Sequence, residues 1–109
     1  MMYHVHITEQ AFEDMGKIYR YIFDTLQAPN AAKKQYNRIA KAIESLNLFP
    51  KRIKPIDIDA AGSQVLRQML VDHYSIIFTI DEDRIIVLSV LYSASDTRKR
   101  LETLLPTEQ

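Results

Sequence analysis

The sequence predicts an α+β domain in which an antiparallel helical hairpin covers one face of a mostly antiparallel four-stranded sheet. Three observations carry this. Residues 65–92, VLRQMLVDHYSIIFTIDEDRIIVLSVLY, are the densest run of β-branched and aromatic side chains, interrupted only at Asp72-His73 and Asp81-Glu82-Asp83. Interruptions that short reverse a chain as hairpin turns, so three consecutive strands run antiparallel. The third strand is apolar on both faces, Ile85, Val87 and Leu91 opposing Ile86, Leu88 and Val90, which suits a central position with a neighbour on its far side.

Taken in order, Tyr3 to Thr8 alternates Tyr3, Val5 and Ile7 against His4 and His6, a first strand with one buried face that can join the later sheet. Thr8 offers an oxygen to the free amides of a helix whose first turn carries Glu9. Ala11, Phe12, Met15, Ile18, Tyr19, Ile22, Phe23 and Leu26 form its apolar stripe, ~25 Å long if the helix is regular. Gly16 inside it costs about 1 kcal/mol against alanine unless a neighbour, the second helix, approaches closely there. Pro29 and Asn30 break the pattern, and Ala32, Tyr36, Ile39, Ala40, Ile43 and Leu46 resume it. Lys33, Lys34, Arg38 and Lys41 make the exposed face basic, as a solvated helix face or as a binding patch.

Asn47 to Gln64, with Pro50, Pro55 and Gly62, reads as a loop holding at most a short extended piece at Ile56 and Ile58. In the strand after the first turn, Tyr74, Ile76, Phe78 and Ile80 share one face and Ser75, Ile77 and Thr79 the other. Asp96 can cap a final short helix from Thr97 to Leu105, before Pro106. The expected core comprises Phe12, Met15, Tyr19, Ile22, Ile39, Ile43, Tyr74 or Ile77, Phe78, Val87 and Leu91.

With 109 residues and 47% apolar content, residues 1–109 are expected to form one domain whose core needs no disulfide or metal. Cysteine is absent, and no apolar run approaches the roughly 20 residues of a membrane span. A cytoplasmic protein without membrane contact is the expectation. Fourteen basic and fourteen acidic side chains cancel, so any nucleic-acid site has to be local. Two glycines cannot build a phosphate-cradling loop, and no nucleotide cofactor is expected. His4 and His6 lie on one face of a strand, but no third or fourth ligand stands at useful spacing, so no metal is expected either.

The strings ITEQAFEDMGKIYRYI, AAKKQYNRIAKAIESLNLFP and LRQMLVDHYSIIFTIDEDRIIVLSVLY resemble the RelE/ParE superfamily of type II toxins, also called plasmid stabilisation proteins. The resemblance spans almost the whole chain. Its motifs are Ala11 with Asp14 at the start of the first helix, Leu46, Phe49 and Pro50 at the end of the second, and Arg67 ahead of a hairpin led by Tyr74. It implies a toxin that arrests growth and is neutralised by a cognate antitoxin. Two activities divide the superfamily. RelE-like members cut messenger RNA on the ribosome, which demands a base, an acid and cations around one phosphate. ParE-like members bind and inhibit DNA gyrase. This chain departs from the RelE pattern: Ser75 stands where arginine is frequent, the basic cluster before the hairpin is reduced to Arg67, and Ser93-Ala94-Ser95 precede Asp96. The ParE-like branch, a non-enzymatic gyrase inhibitor, is therefore favoured. A ribosome-dependent endoribonuclease or a relative that has lost toxicity are the alternatives.

On the endoribonuclease alternative, the catalytic candidates are Arg67, His73, Tyr92 and Arg98. Arg67 projects from its strand beside Met69, free to bind phosphate or to pair with an acidic residue of the preceding loop. His73 occupies a turn, where an exposed imidazole can shuttle protons or simply make the turn. Tyr92 ends the last strand, as a rim hydroxyl or as a buried anchor. The partner-binding candidates are two basic clusters, Lys51, Arg52 and Lys54 before the sheet and Arg98, Lys99 and Arg100 after it. An isolated toxin of this kind is expected to expose an apolar groove for its antitoxin, or to bury it by homodimer formation.

Overall fold

Four strands and two helices account for the fold, in a computed structural model that describes residues 2–56 and 65–92. Strand β1 (His4–Ile7) leads into helix α1 (Glu9–Arg20), a π turn (Tyr21–Thr25) and helix α2 (Pro29–Glu44). Two 3₁₀ turns, Ser45–Asn47 and Pro50–Arg52, precede β2 (Arg67–Val71), β3 (Tyr74–Asp81) and β4 (Arg84–Leu91). The sheet order is β1-β4-β3-β2, with β4 parallel to β1 and antiparallel to β3. The doubly apolar strand is thus central, flanked by the first strand as its composition demands. Asp72 and Glu82 adopt positive φ, 56° and 57°, in the two hairpin turns.

Thr8 caps α1 by accepting from the Ala11 amide at 3.2 Å, and its hydroxyl donates to the Val87 carbonyl at 2.9 Å. One side chain therefore starts the helix and ties it to the central strand. Helix α2 begins at Pro29 itself, where a missing N–H costs nothing and a fixed φ favours the first turn. Ala11, Met15, Ile39, Ile43, Leu46, Ile76, Phe78, Ile85, Val87 and Val90 fill the layer between helices and sheet. Leu66, Ile77 and Leu91 form a smaller cluster on the opposite face.

Four details differ from the sequence reading. Phe12 is 53% exposed, because it lies about 100° round the helix from Ala11 and outside the buried arc; Asp14 is inside that arc, 4% exposed. The register between β3 and β4 slips at Ile77/Phe78: Val87 pairs with Phe78 but Ser89 with Ile77. The unpaired Leu88 is a bulge that inverts the alternation, so Val90 joins Val87 beneath the helices and Leu91 turns to the other face. The first helix is not regular to Leu26. Its end is a π turn in which the Leu26 amide reaches the Tyr21 carbonyl at 3.1 Å, and the added residue swings Leu26 out to 55% exposure. Gly16 is not at a close helix crossing, since the nearest atoms to a Cβ there belong to the Arg20 side chain of the same helix, the first at 3.2 Å. Among the described residues no helix is long and apolar enough to cross a membrane. The helix expected from Thr97 to Leu105 and the extended piece at Ile58 lie outside the described residues.

Candidate functional site

At one end of the molecule the first helix, the start of α2 and the β2–β3 turn fail to close on one another. The π turn contributes to this: its added residue brings Leu26 out beside Tyr21, each 55% exposed, on the walls of a cleft. The cleft has a volume of about 600 Å³ and is predominantly apolar, with Ile18, Tyr21, Ile22 and Leu26 on one side and Tyr74 and Tyr92 on the other. Lys17, Gln35 and His73 supply its polar groups.

Three rings define the sheet side. Tyr92 packs edge-on against Tyr74 with centroids 5.5 Å apart, and His73 lies 6.5 Å from Tyr92. Tyr92 is 59% exposed, so it is a rim residue and not a buried strand-end anchor. Burial first, then the neighbouring Tyr92, Asp72 and Tyr21, holds the Tyr74 phenol above its ordinary pKa. It remains a neutral hydrogen-bond donor through the physiological range.

The turn that carries His73 is clamped from α2. Arg38 grips Asp72 with two hydrogen bonds, Nε to Oδ2 at 2.8 Å and Nη2 to Oδ1 at 2.9 Å, and Gln35 adds a third at 3.1 Å. The Arg38 and Gln35 hydrogen bonds hold the Asp72 carboxyl below the usual carboxylate range. A side chain read from sequence as part of a solvated basic face thus fixes one wall of the cleft.

The other candidates lie elsewhere. Arg67 donates from Nη1 to the Ile53 carbonyl at 2.5 Å, binding the loop before the sheet; it does not line the cleft, and the acidic residues of that loop, Asp57 and Asp59, lie outside the described residues. It pairs with Phe78, four residues along β3 from Tyr74, which separates it from the Tyr74–Tyr92 row by about 13 Å. Arg52 folds onto the Leu48 and Phe49 carbonyls at 2.9 and 3.0 Å, while Lys51 and Lys54 are exposed. Arg98, Lys99 and Arg100 lie outside the described residues. The exposed His4 faces Asp83 at 3.9 Å, and among the described residues no three His, Asp or Glu side chains gather to hold a metal ion.

Sequence reasoning missed Tyr21 and Leu26 as cleft residues because regular helical spacing placed Leu26 on the apolar stripe of the first helix, and nothing in the sequence announces a π turn. It also gave Asp14 no role. That carboxylate accepts from the Ser89 hydroxyl at 2.5 Å, the Val90 amide at 3.0 Å and, on its other oxygen, the Gln10 amide at 2.8 Å. Strand β1 ends opposite Val87, so Asp14 serves part of the β4 edge that β1 does not reach.

Residues 5–97 match the family described as ParE toxin of type II toxin-antitoxin system, parDE. Several solved structures are similar. A chain of the chromosomal ParDE toxin–antitoxin system from P. aeruginosa matches with a TM-score of 0.71 at 19% identity, covering 84% of this chain and 97% of that one. A chain of the RelBE2 toxin–antitoxin complex from Mycobacterium tuberculosis gives 0.57 at 20% identity, covering 84% and 99%. A mutant E. coli toxin RelE in the free state gives 0.58 at 14% identity, covering 96% and 100%. No match is found among curated proteins.

Proposed function

Because the chain belongs to the ParE toxin family of type II toxin–antitoxin systems, we propose that it inhibits DNA gyrase by binding and is silenced by a cognate antitoxin seated in the aromatic cleft. One observation carries the choice of binding over catalysis. Metal-independent RNA cleavage gains typically 10²- to 10⁴-fold from each acid or base, and needs them within hydrogen-bond reach of a single phosphate. Here Arg67 serves the Ile53 carbonyl and lies about 13 Å along the sheet from the Tyr74–Tyr92 row. No convergent set of that kind is supported among the described residues.

The antitoxin reading rests on the cleft. An amphipathic segment with two or three large apolar side chains fits about 600 Å³ of mostly apolar space, and Lys17 at its margin favours an acidic residue on that segment. The similar ParDE and RelBE2 structures are themselves toxin–antitoxin systems or complexes. A gyrase target implies action in the cytoplasm, growth arrest as the outcome, and a plasmid- or chromosome-stabilising role for the pair, with residues 1–109 acting as one domain.

The ribosome-dependent endoribonuclease is the second reading, favoured by the proximity of His73, Tyr74 and Tyr92. Expression in a bacterium separates the two. Filamentation with a DNA-damage response, unchanged in His73→Ala and Tyr92→Phe, is the expected result, together with weakened toxicity in Arg98→Glu. Translation arrest with messenger cleavage that vanishes in His73→Ala would overturn it, and a chain that does not slow growth at all is a non-toxic antitoxin-binding relative.

A further inference from the structure

The outer face of α1 carries a second apolar feature that the sheet does not cover and that α2 meets at Tyr19. Phe12, Gly16, Tyr19 and Phe23 recur at intervals of four and three residues. Phe12 and Phe23 are 53% and 39% exposed. Tyr19 stacks on Phe23 with centroids 5.7 Å apart and meets Tyr36 of α2 edge-on at 6.0 Å. A shallow hollow of about 280 Å³ opens among Gly16, Tyr19, Arg20 and Tyr36.

Two charges flank this stripe on one side. Glu13 and Arg20 are both exposed, and among the described residues neither has an ion-pair partner. The Arg20 guanidinium instead lies back over Gly16, 3.2 Å from where a Cβ would stand. The helix as a whole is polarised, with Glu9 in its first turn and Lys17 and Arg20 in its last.

We propose that this stripe is where two copies of the chain meet, as an antiparallel α1–α1 pair about a two-fold axis at Gly16. In such a pair, residues equally far before and after the axis face one another. Glu13, three residues before Gly16, lies against the partner's stretch three and four residues after it, which ends at Arg20. Symmetry forms this contact twice, and the acidic start of each helix meets the basic end of the other. Gly16 lets the two backbones approach closely, while the aromatic rings on either side fill the seam.

A second copy satisfies these features together, because one helix supplies both signs of charge in the order that an antiparallel twin requires. The seam also leaves the cleft open. Tyr21, on the cleft wall, follows Tyr19 by two residues and so lies about 200° round the helix from the stripe.

Sedimentation velocity of the full chain, from about 1 µM to about 500 µM, tests this over the range where small interfaces saturate. A reversible dimer is expected. Glu13→Arg or Arg20→Glu alone places like charges opposite each other twice and should weaken association at least about ten-fold. The double variant restores opposite charges and should recover it. Both side chains are exposed, so the fold tolerates either change. A monomer throughout, or a dimer indifferent to both single substitutions, would overturn the proposal.

Discussion

At the scale of single residues, the most consequential side chain is one that sequence patterning treats as an interruption. Asp14 lies among apolar neighbours on the buried side of α1, yet it is hydrogen-bonded to the Ser89 hydroxyl and the Val90 amide of the central strand. Asp14→Ala would leave those buried donors unserved, and a loss of about 1–3 kcal/mol is expected in denaturant titration. A loss under half of that would mean the strand amide finds another acceptor. Periodicity could not reveal this, since it scores carboxylates as surface. Only the family motif pairing Ala11 with Asp14 marked the position. Gly16 illustrates the opposite case, a residue whose composition promised a close crossing within the monomer that is not there. The nearest atoms to an added methyl group are those of the flexible end of Arg20. Gly16→Ala should therefore raise stability by up to about 1 kcal/mol through helix propensity, when melted at a concentration where the chain is monomeric. A lower melting temperature would count against this.

Among elements, the strands and helices were legible because their signals are redundant: turn residues, alternation and helical spacing agree from β1 to β4. Where the structure departs from the sequence reading, one backbone residue has been added. The bulge at Leu88 and the π turn at Tyr21–Thr25 each insert one position into a regular repeat and change which faces the following side chains take. Leu91 and Leu26 were misassigned for that one reason. The positions between these irregularities hold, so Ile43→Ala should cost about 2–5 kcal/mol and Phe78→Ala about 3–5, both side chains being essentially fully buried. Elements are also tied by charge. Arg38 on α2 and Asp72 in the β2–β3 turn form a bidentate pair that stiffens the wall carrying His73. Because the folded carboxyl titrates below its unfolded value of about 3.9, the stabilisation is fully present above that value. It is lost as pH falls through the folded pKa. Arg38→Ala should thus lower the melting temperature at pH 7, with the difference from the unsubstituted chain shrinking towards pH 2. An equal difference at both pH values would show that the arginine acts by packing alone.

For the whole molecule, the question is whether the surface that meets the antitoxin is also the surface that meets the target. The cleft was foreseeable in kind, since a toxin held by a partner must expose apolar surface, but not in place. Its walls come from a π turn, a helix start and a hairpin turn that only the fold brings together. Tyr21 and Leu26 are more than half exposed, so charged substitutions there should leave folding intact. If the cleft seats the antitoxin, Tyr21→Asp and Leu26→Asp each put a carboxylate against an apolar segment that is itself expected to carry acid near Lys17. Affinity should fall at least about ten-fold, equivalent to roughly 1.4 kcal/mol. Toxicity, by contrast, should persist if gyrase is met elsewhere, for instance through the basic residues Arg98, Lys99 and Arg100. The two effects are separable in one growth assay: cells expressing a cleft variant should be arrested even when the antitoxin is supplied, whereas cells with the unsubstituted toxin recover. Recovery with both variants would remove the antitoxin from the cleft, and loss of arrest without antitoxin would place the target contact there instead.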